Sequence, residues 1–167
     1  ELPAQLHTAS PHHITPKTLE QELKSVRSHV VLPKGKYVVN FDIIVDETGV
    51  LEIEAGTELY FSEEAGIVSY GTLKAVGTEQ EHILFTALID SWRNIALGGR
   101  LSSDSVLEHC VIRHGGGRRK IEQKGHFNGP SLGDSYGGGL LMVCSDAAIR
   151  NCVVESCKAE YGGGLYL

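Results

Sequence analysis

The sequence predicts an all-β fold, a parallel β-helix: a solenoid with three strands per coil, preceded by a short N-terminal capping helix. Three observations predict it. Tyr136-Gly137-Gly138-Gly139-Leu140 returns as Tyr161-Gly162-Gly163-Gly164-Leu165, 25 residues further on, and repeats of about 20–50 residues mark solenoids, in which each unit buries its apolar side only against the next. Val106-Leu107-Glu108-His109-Cys110-Val111-Ile112 matches the stretch ending in Asn151-Cys152-Val153-Val154 at an offset of 42, and the 17 residues in excess of 25 read as an insertion between Gly115 and Asp134. From Tyr37 onward, apolar residues alternate with single residues in short runs, and the runs themselves recur. Leu51 and Ile53 precede Leu73 and Ala75 by 22 residues, Leu59 and Phe61 precede Ile83 and Phe85 by 24, and Ile67 precedes Ile95 by 28. No Asn-Gly hairpin turn falls where an antiparallel meander would need one.

In chain order, residues 1–31 form an N-terminal lead-in and capping helix, and residues 32–167 form about 4–5 coils with an insertion at 115–135. Glu1 to Pro16 is broken by Pro3, Pro11 and Pro16 and reads as an extended, solvated tail that includes His7, His12 and His13. The chain opens at Glu1 without Met or a signal sequence, as expected either of a processed export product or of an excised fragment. Thr18-Leu19-Glu20-Gln21 is a capping box, and Leu19, Leu23 and Val26 share one face of a helix from about Thr18 to Ser28. Such a helix would cover the open end of the core and block strand addition there. Leu32-Pro33-Lys34-Gly35-Lys36-Tyr37 is a turn, after which the apolar period becomes two. At the other end the chain stops within a strand at Leu165-Tyr166-Leu167, so an end-to-end or edge contact, or further coils, is expected there.

Composition bounds the function. Twenty glycines in 167 residues exceed the usual share of roughly 7% and suit many tight corners. A net charge of −6 argues against a nucleic-acid partner, which needs clustered Lys and Arg. No apolar run has the length of about 20 residues needed to cross a bilayer, so no transmembrane segment is expected. Cys110, Cys144, Cys152 and Cys157 match no zinc spacing and read as small buried hydrophobes; a disulfide is possible, and its pairing is not legible.

The runs Leu51-Glu-Ile-Glu-Ala-Gly-Thr-Glu-Leu-Tyr-Phe61, Gly71-Thr-Leu-Lys-Ala-Val-Gly-Thr78, Ile83-Leu-Phe-Thr86 and Trp92-Arg-Asn-Ile95 resemble secreted right-handed parallel β-helix proteins of the pectin-lyase-like superfamily. The block from Asn151 to Leu165 is similar to repeats of polymorphic outer-membrane and other cell-surface β-helix proteins. The resemblance implies a right-handed coil and a secreted or cell-surface location. It does not specify an activity, because such folds carry many functions.

Phase assigns three sheets. Ile95 and Leu97, Leu140 and Met142, and Leu165 and Leu167 point inward on the first, leaving Ala96, Leu141 and Tyr166 outward. Leu51, Ile53, Leu73, Ala75, Leu107 and Ile149 point inward on the second; Leu59, Phe61, Ile83, Phe85, Cys110, Ile112, Cys152 and Val154 do so on the third. Cys110 should then lie beneath Cys152, with His109 and Asn151 sharing a corner. Tyr60, Leu84, Val111 and Val153 should make an outward apolar stripe.

Calcium-dependent lyases of the resembled superfamily carry acidic metal ligands and a base on the outward face of the first sheet, where this chain has Ala96, Leu141 and Tyr166. The carboxylate pair of its hydrolases has no counterpart either, since Asp134 and Asp146 stand alone. The expected function is therefore a secreted or cell-surface scaffold or binding module that recognises a glycan or another surface protein, with no cofactor and no metal. The alternative is a polysaccharide lyase or glycoside hydrolase acting on acidic polysaccharide. Candidate ligand-binding residues are Arg118, Arg119, Lys120 and His126 of the basic insertion, with Tyr136 and Tyr166. Arginine forks onto carboxylates, and Tyr136 should stack on Tyr161.

Overall fold

The computed structural model describes residues 12–13, 19–116 and 136–167, and over that range the chain winds as a parallel β-helix. Every strand pairing is parallel, between a strand and its equivalent in the neighbouring coil. Each coil contributes one strand to each of three sheets. The first coil is β2 (His29–Leu32), β3 (Lys36–Val39) and β4 (Ile43–Val45); the second is β5 (Val50–Ile53), β6 (Glu58–Phe61) and β7 (Ile67–Ser69). The third is β8 (Thr72–Val76), β9 (Ile83–Ala87) and β10 (Ile95–Gly98), followed by a short 3-10 helix, Arg100–Asp104. Next come β11 (Val106–Glu108), β12 (Cys110–Arg113) and β13 (Leu140–Val143), then β14 (Ala148–Arg150), β15 (Val153–Glu155) and β16 (Leu165–Tyr166). The first sheet stacks β4-β7-β10-β13-β16, the second β2-β5-β8-β11-β14 and the third β3-β6-β9-β12-β15.

Alternation builds the core. In β3, β5 and β6 every second side chain is buried, so that Val39, Leu51, Ile53, Leu59 and Phe61 line a single column of apolar rungs. The first sheet is different: Val68, Ala96 and Leu141 face outward by register yet are buried too. Tyr166, their neighbour in the last coil, is half-buried. This face is closed on both sides, as parallel sheets commonly are.

Register bears out most of the stacking. Leu51 lies against Leu73, Ile53 against Ala75, Ile67 against Ile95, and Leu140 against Leu165. One pairing differs: Leu59 meets Phe85, and Phe61 meets Ala87, two residues beyond the expected partners. The extra length sits in the turn between β8 and β9, which is closed by Thr78 N–H donating to Glu81 O and by Glu81 N–H donating to Thr78 Oγ1. A slip of two keeps every side chain on its face, so alternation cannot detect it. The slip also breaks the expected apolar stripe, because Tyr60 lies against Thr86 whereas Leu84 aligns with Glu58 and Val111.

The N-terminal region also departs from expectation. The helix α1 spans only Leu19–Leu23, because Val26 leaves it to form a parallel bridge with Val45. Its apolar face is as expected, with Leu23 and Val26 buried and Leu19 packed against the core. The helix does not close the edge of the second sheet. Instead β1 (His12–His13) pairs with β2, so that part of the expected free tail is a strand.

Left-handed residues recur at equivalent corners. His109 and Asn151 have φ of 49° and 51°, and His114 and Ser156 follow at 62° and 53°. Asn151 Nδ2 lies 3.5 Å from His109 Nε2, so these two side chains stack along the corner as anticipated. In the triple-glycine repeat, Gly137 and Gly162 take φ of 55° and 60°. The next glycine serves close approach: a Cβ at Gly115 would stand 1.9 Å from Gly138 O, and one at Gly138 would stand 2.0 Å from Gly163 O. Backbone thus meets backbone within the fourth coil, Gly115 on Gly138, and between the fourth and fifth, Gly138 on Gly163, which only glycine permits.

Candidate binding corner

The corner between the third and first sheets holds the side chains with most to offer a ligand. Its base is Trp92, which is buried, stacks on Phe61 at 4.6 Å between ring centroids, and donates its indole N–H to Arg113 O at 2.8 Å. Above it, Asn94 is fully buried and its amide donates to Tyr136 O at 3.2 Å and Gly137 O at 2.9 Å. These two bonds fix the backbone at the start of the repeat and hence the position of Tyr136. The Tyr136 ring stacks on Tyr161 at 4.9 Å with an interplanar angle of 19°, and Tyr166 meets it edge-on at 4.8 Å and 72°. Gly137 N–H donating to Tyr161 O and Gly138 N–H donating to Gly162 O lock the two coils in that register. Tyr161 is 51% exposed.

The same corner carries a groove of about 820 Å³ whose polar lining includes Glu63, Glu64, Asp90, Arg93, His114 and Lys158. Arg93 is held by Asp42 at 3.4 Å and Glu64 at 2.7 Å, and His114 Nδ1 lies 3.2 Å from Thr86 Oγ1. The lining therefore mixes carboxylates with basic side chains on an open surface. Such a surface can both donate to and accept from hydroxyl-rich ligands. Gly116 also lines the groove.

Of the residues expected to bind, Tyr136 and Tyr166 come together and recruit Tyr161. Arg118, Arg119, Lys120 and His126 lie outside the described residues. The groove residues gave no signal in the sequence, since they come from the ends of third-sheet strands in different coils. They share a place just after the third-sheet strand of each coil, which becomes visible only once the strands are assigned to sheets. Among the described residues, no three of His, Cys, Asp and Glu are placed to hold a metal ion, and no helix is long and apolar enough to cross a membrane.

The cysteines are not equally buried. Cys110 is buried and Cys152 and Cys157 are half-buried, but Cys144 is exposed, contrary to its expected core position. It occupies a left-handed corner, φ 53°, after β13 rather than an inward strand position.

The fold and its corner define a parallel β-helix with one aromatic and polar edge. Comparisons with protein-family models, curated proteins and solved structures gave no match, so the assignment of fold rests on the strand pairings themselves.

Proposed function

We propose that this chain is a secreted or cell-surface β-helix that presents a rigid binding corner, and that the ligand is a glycan. The observation that carries the reading is the Tyr136–Tyr161 stack with Tyr166 against its edge. Tyrosine offers an apolar ring face and a polar tip with few rotatable bonds, which suits the C–H face and hydroxyls of a sugar. The adjoining groove adds carboxylates for hydroxyls and Lys158 for an acidic substituent. The resemblance to secreted and surface β-helix proteins supports the location. A second reading, a lyase or hydrolase on acidic polysaccharide, draws support from Glu63, Glu64 and Asp90 in the groove. Against it, the Glu64 carboxylate is already engaged by Arg93 at 2.7 Å and is 82% exposed, with no second carboxylate paired to it among the described residues.

Calorimetric titration with neutral and acidic oligosaccharides tests the proposal, read beside an assay for new reducing or unsaturated ends. Binding without cleavage, weakened about tenfold or more by Tyr161→Ala, is the expected result. Cleavage would select the second reading. Binding untouched by Tyr161→Ala and Tyr136→Ala would remove the corner as the site.

A further inference from the structure

Cys110 and Cys152 stand at equivalent positions in successive coils. The pairs Val111–Val153 and Ile112–Val154 fix the register immediately beyond them. Neighbouring parallel strands lie about 4.8 Å apart, which falls within the Cα separation of about 4.4–6.8 Å that a disulfide spans. Both side chains point into the helix. Cys110 Sγ donates to Ala75 O at 3.3 Å and Cys152 Sγ to Leu107 O at 3.4 Å, each reaching a carbonyl of the coil before its own. Once Cys152 is ionised, its thiolate can accept from the Cys110 S–H. Cys110 has no exposed surface, whereas Cys152 is half-buried and open to a small reagent.

We propose that Cys110 and Cys152 are a cross-linking site, oxidised to a disulfide that ties the fourth coil to the fifth. The inference is independent of what the corner binds. Its effect would fall on that corner, because the ring closed by residues 110 and 152 contains the insertion and Tyr136, and the tied coil leads on to Tyr161.

With oxidised glutathione as the oxidant, Cys152 thiolate attacks one glutathione sulfur and expels the other as glutathione thiolate, leaving a mixed disulfide. Cys110 then gives up its proton and attacks Cys152 Sγ, and the second glutathione leaves. Two protein thiols and one oxidised glutathione become one protein disulfide and two reduced glutathiones. The order follows from surroundings: the Cys110 hydrogen bond brings the Cys152 thiol down to about 7, while that bond and burial push Cys110 up. The accessible sulfur is therefore the better first nucleophile.

The test is a non-reducing peptide map of the full chain after equilibration with oxidised glutathione, with remaining thiols alkylated in denaturant. The expected map joins the Cys110 and Cys152 peptides, leaves Cys144 and Cys157 outside that linkage, and shows a loss of two hydrogens in intact mass. Oxidised protein should also unfold at higher urea than reduced protein. Cys110→Ser should stall at the glutathione adduct on Cys152, and Cys152→Ser should abolish the linked species. Should the buried Cys110→Ser variant fail to fold, Cys152→Ser and Cys144→Ser alone decide the matter, since only the first is expected to remove the linkage. A Cys152–Cys157 linkage, or wild-type protein that stops at the adduct with Cys110 alkylated, would overturn the proposal.

Discussion

At the residue scale, the glycines of the repeat and the cysteine pair carry the most testable chemistry. Gly138→Ala would drive a Cβ to within 2.0 Å of Gly163 O, a backbone atom that cannot turn away. The expected loss is about 3 kcal/mol or more of unfolding free energy, read by urea denaturation. A neutral result would mean that the coils are not in backbone contact there. For Cys152, held down to about 7 by its bond from Cys110, the thiolate fraction rises as pH passes upward through that value. Alkylation of Cys152 in reduced protein should accelerate over the same range, and Cys110→Ala, which removes the donor, should move the profile to higher pH. A profile centred near the ordinary cysteine value of about 8.5 in wild type would contradict the contact. Tyr136 was legible in the sequence because the repeat is nearly verbatim. The buried Asn94 that positions it was not, since no periodicity distinguishes a polar residue serving two carbonyls from one at the surface.

At the element scale, the third sheet couples packing to charge. Trp92 is the only tryptophan, and it is sealed against Phe61 under the groove. Its fluorescence should report a water-shielded indole, and Trp92→Ala should cost about 4 kcal/mol through the cavity left behind. Loss of stability without loss of fold by circular dichroism is the expected pattern. On the outward side of the same sheet, Tyr60 O–H donates to Glu58 at 2.6 Å and Lys36 lies 3.0 Å away. The Tyr60 bond first, and Lys36 second, hold the Glu58 carboxyl below its ordinary value. A depressed carboxyl contributes stability above the ordinary carboxylate range, and that contribution disappears as pH falls through the lowered value. The melting temperature should therefore drop on acidification, with a shallower slope in Glu58→Gln; an identical slope would exclude this contact as a source. The β6–β9 register is where sequence reasoning fell short. Alternation fixes which face a residue occupies and leaves a two-residue slip invisible, and the longer Thr78–Glu81 turn decided between the registers.

At the scale of the whole molecule, recurring offsets made the coiled architecture legible, because each coil must bury its apolar rung against the next. The recurring period also located the corner at which Tyr136 returns as Tyr161. What it left out was everything drawn from different coils at once: the groove residues, the closure of the first sheet over Ala96 and Leu141, and the β1 strand beside β2. These depend on how far each turn projects, which a one-dimensional pattern does not encode. The stacked architecture gives the binding reading its physical basis. A corner repeated along a rigid column presents side chains at fixed spacing, so a ligand of the kind proposed would meet them without ordering a loop first.

The central claim is that successive coils stack in parallel in the register described, and a nuclear Overhauser spectrum of the folded chain tests it most directly. It should show Leu59 methyl protons in contact with the Phe85 ring, and Tyr136 ring protons in contact with those of Tyr161. Strand-to-strand contacts of antiparallel hairpins, or Leu59 paired with Ile83 and no Tyr136–Tyr161 contact, would contradict it.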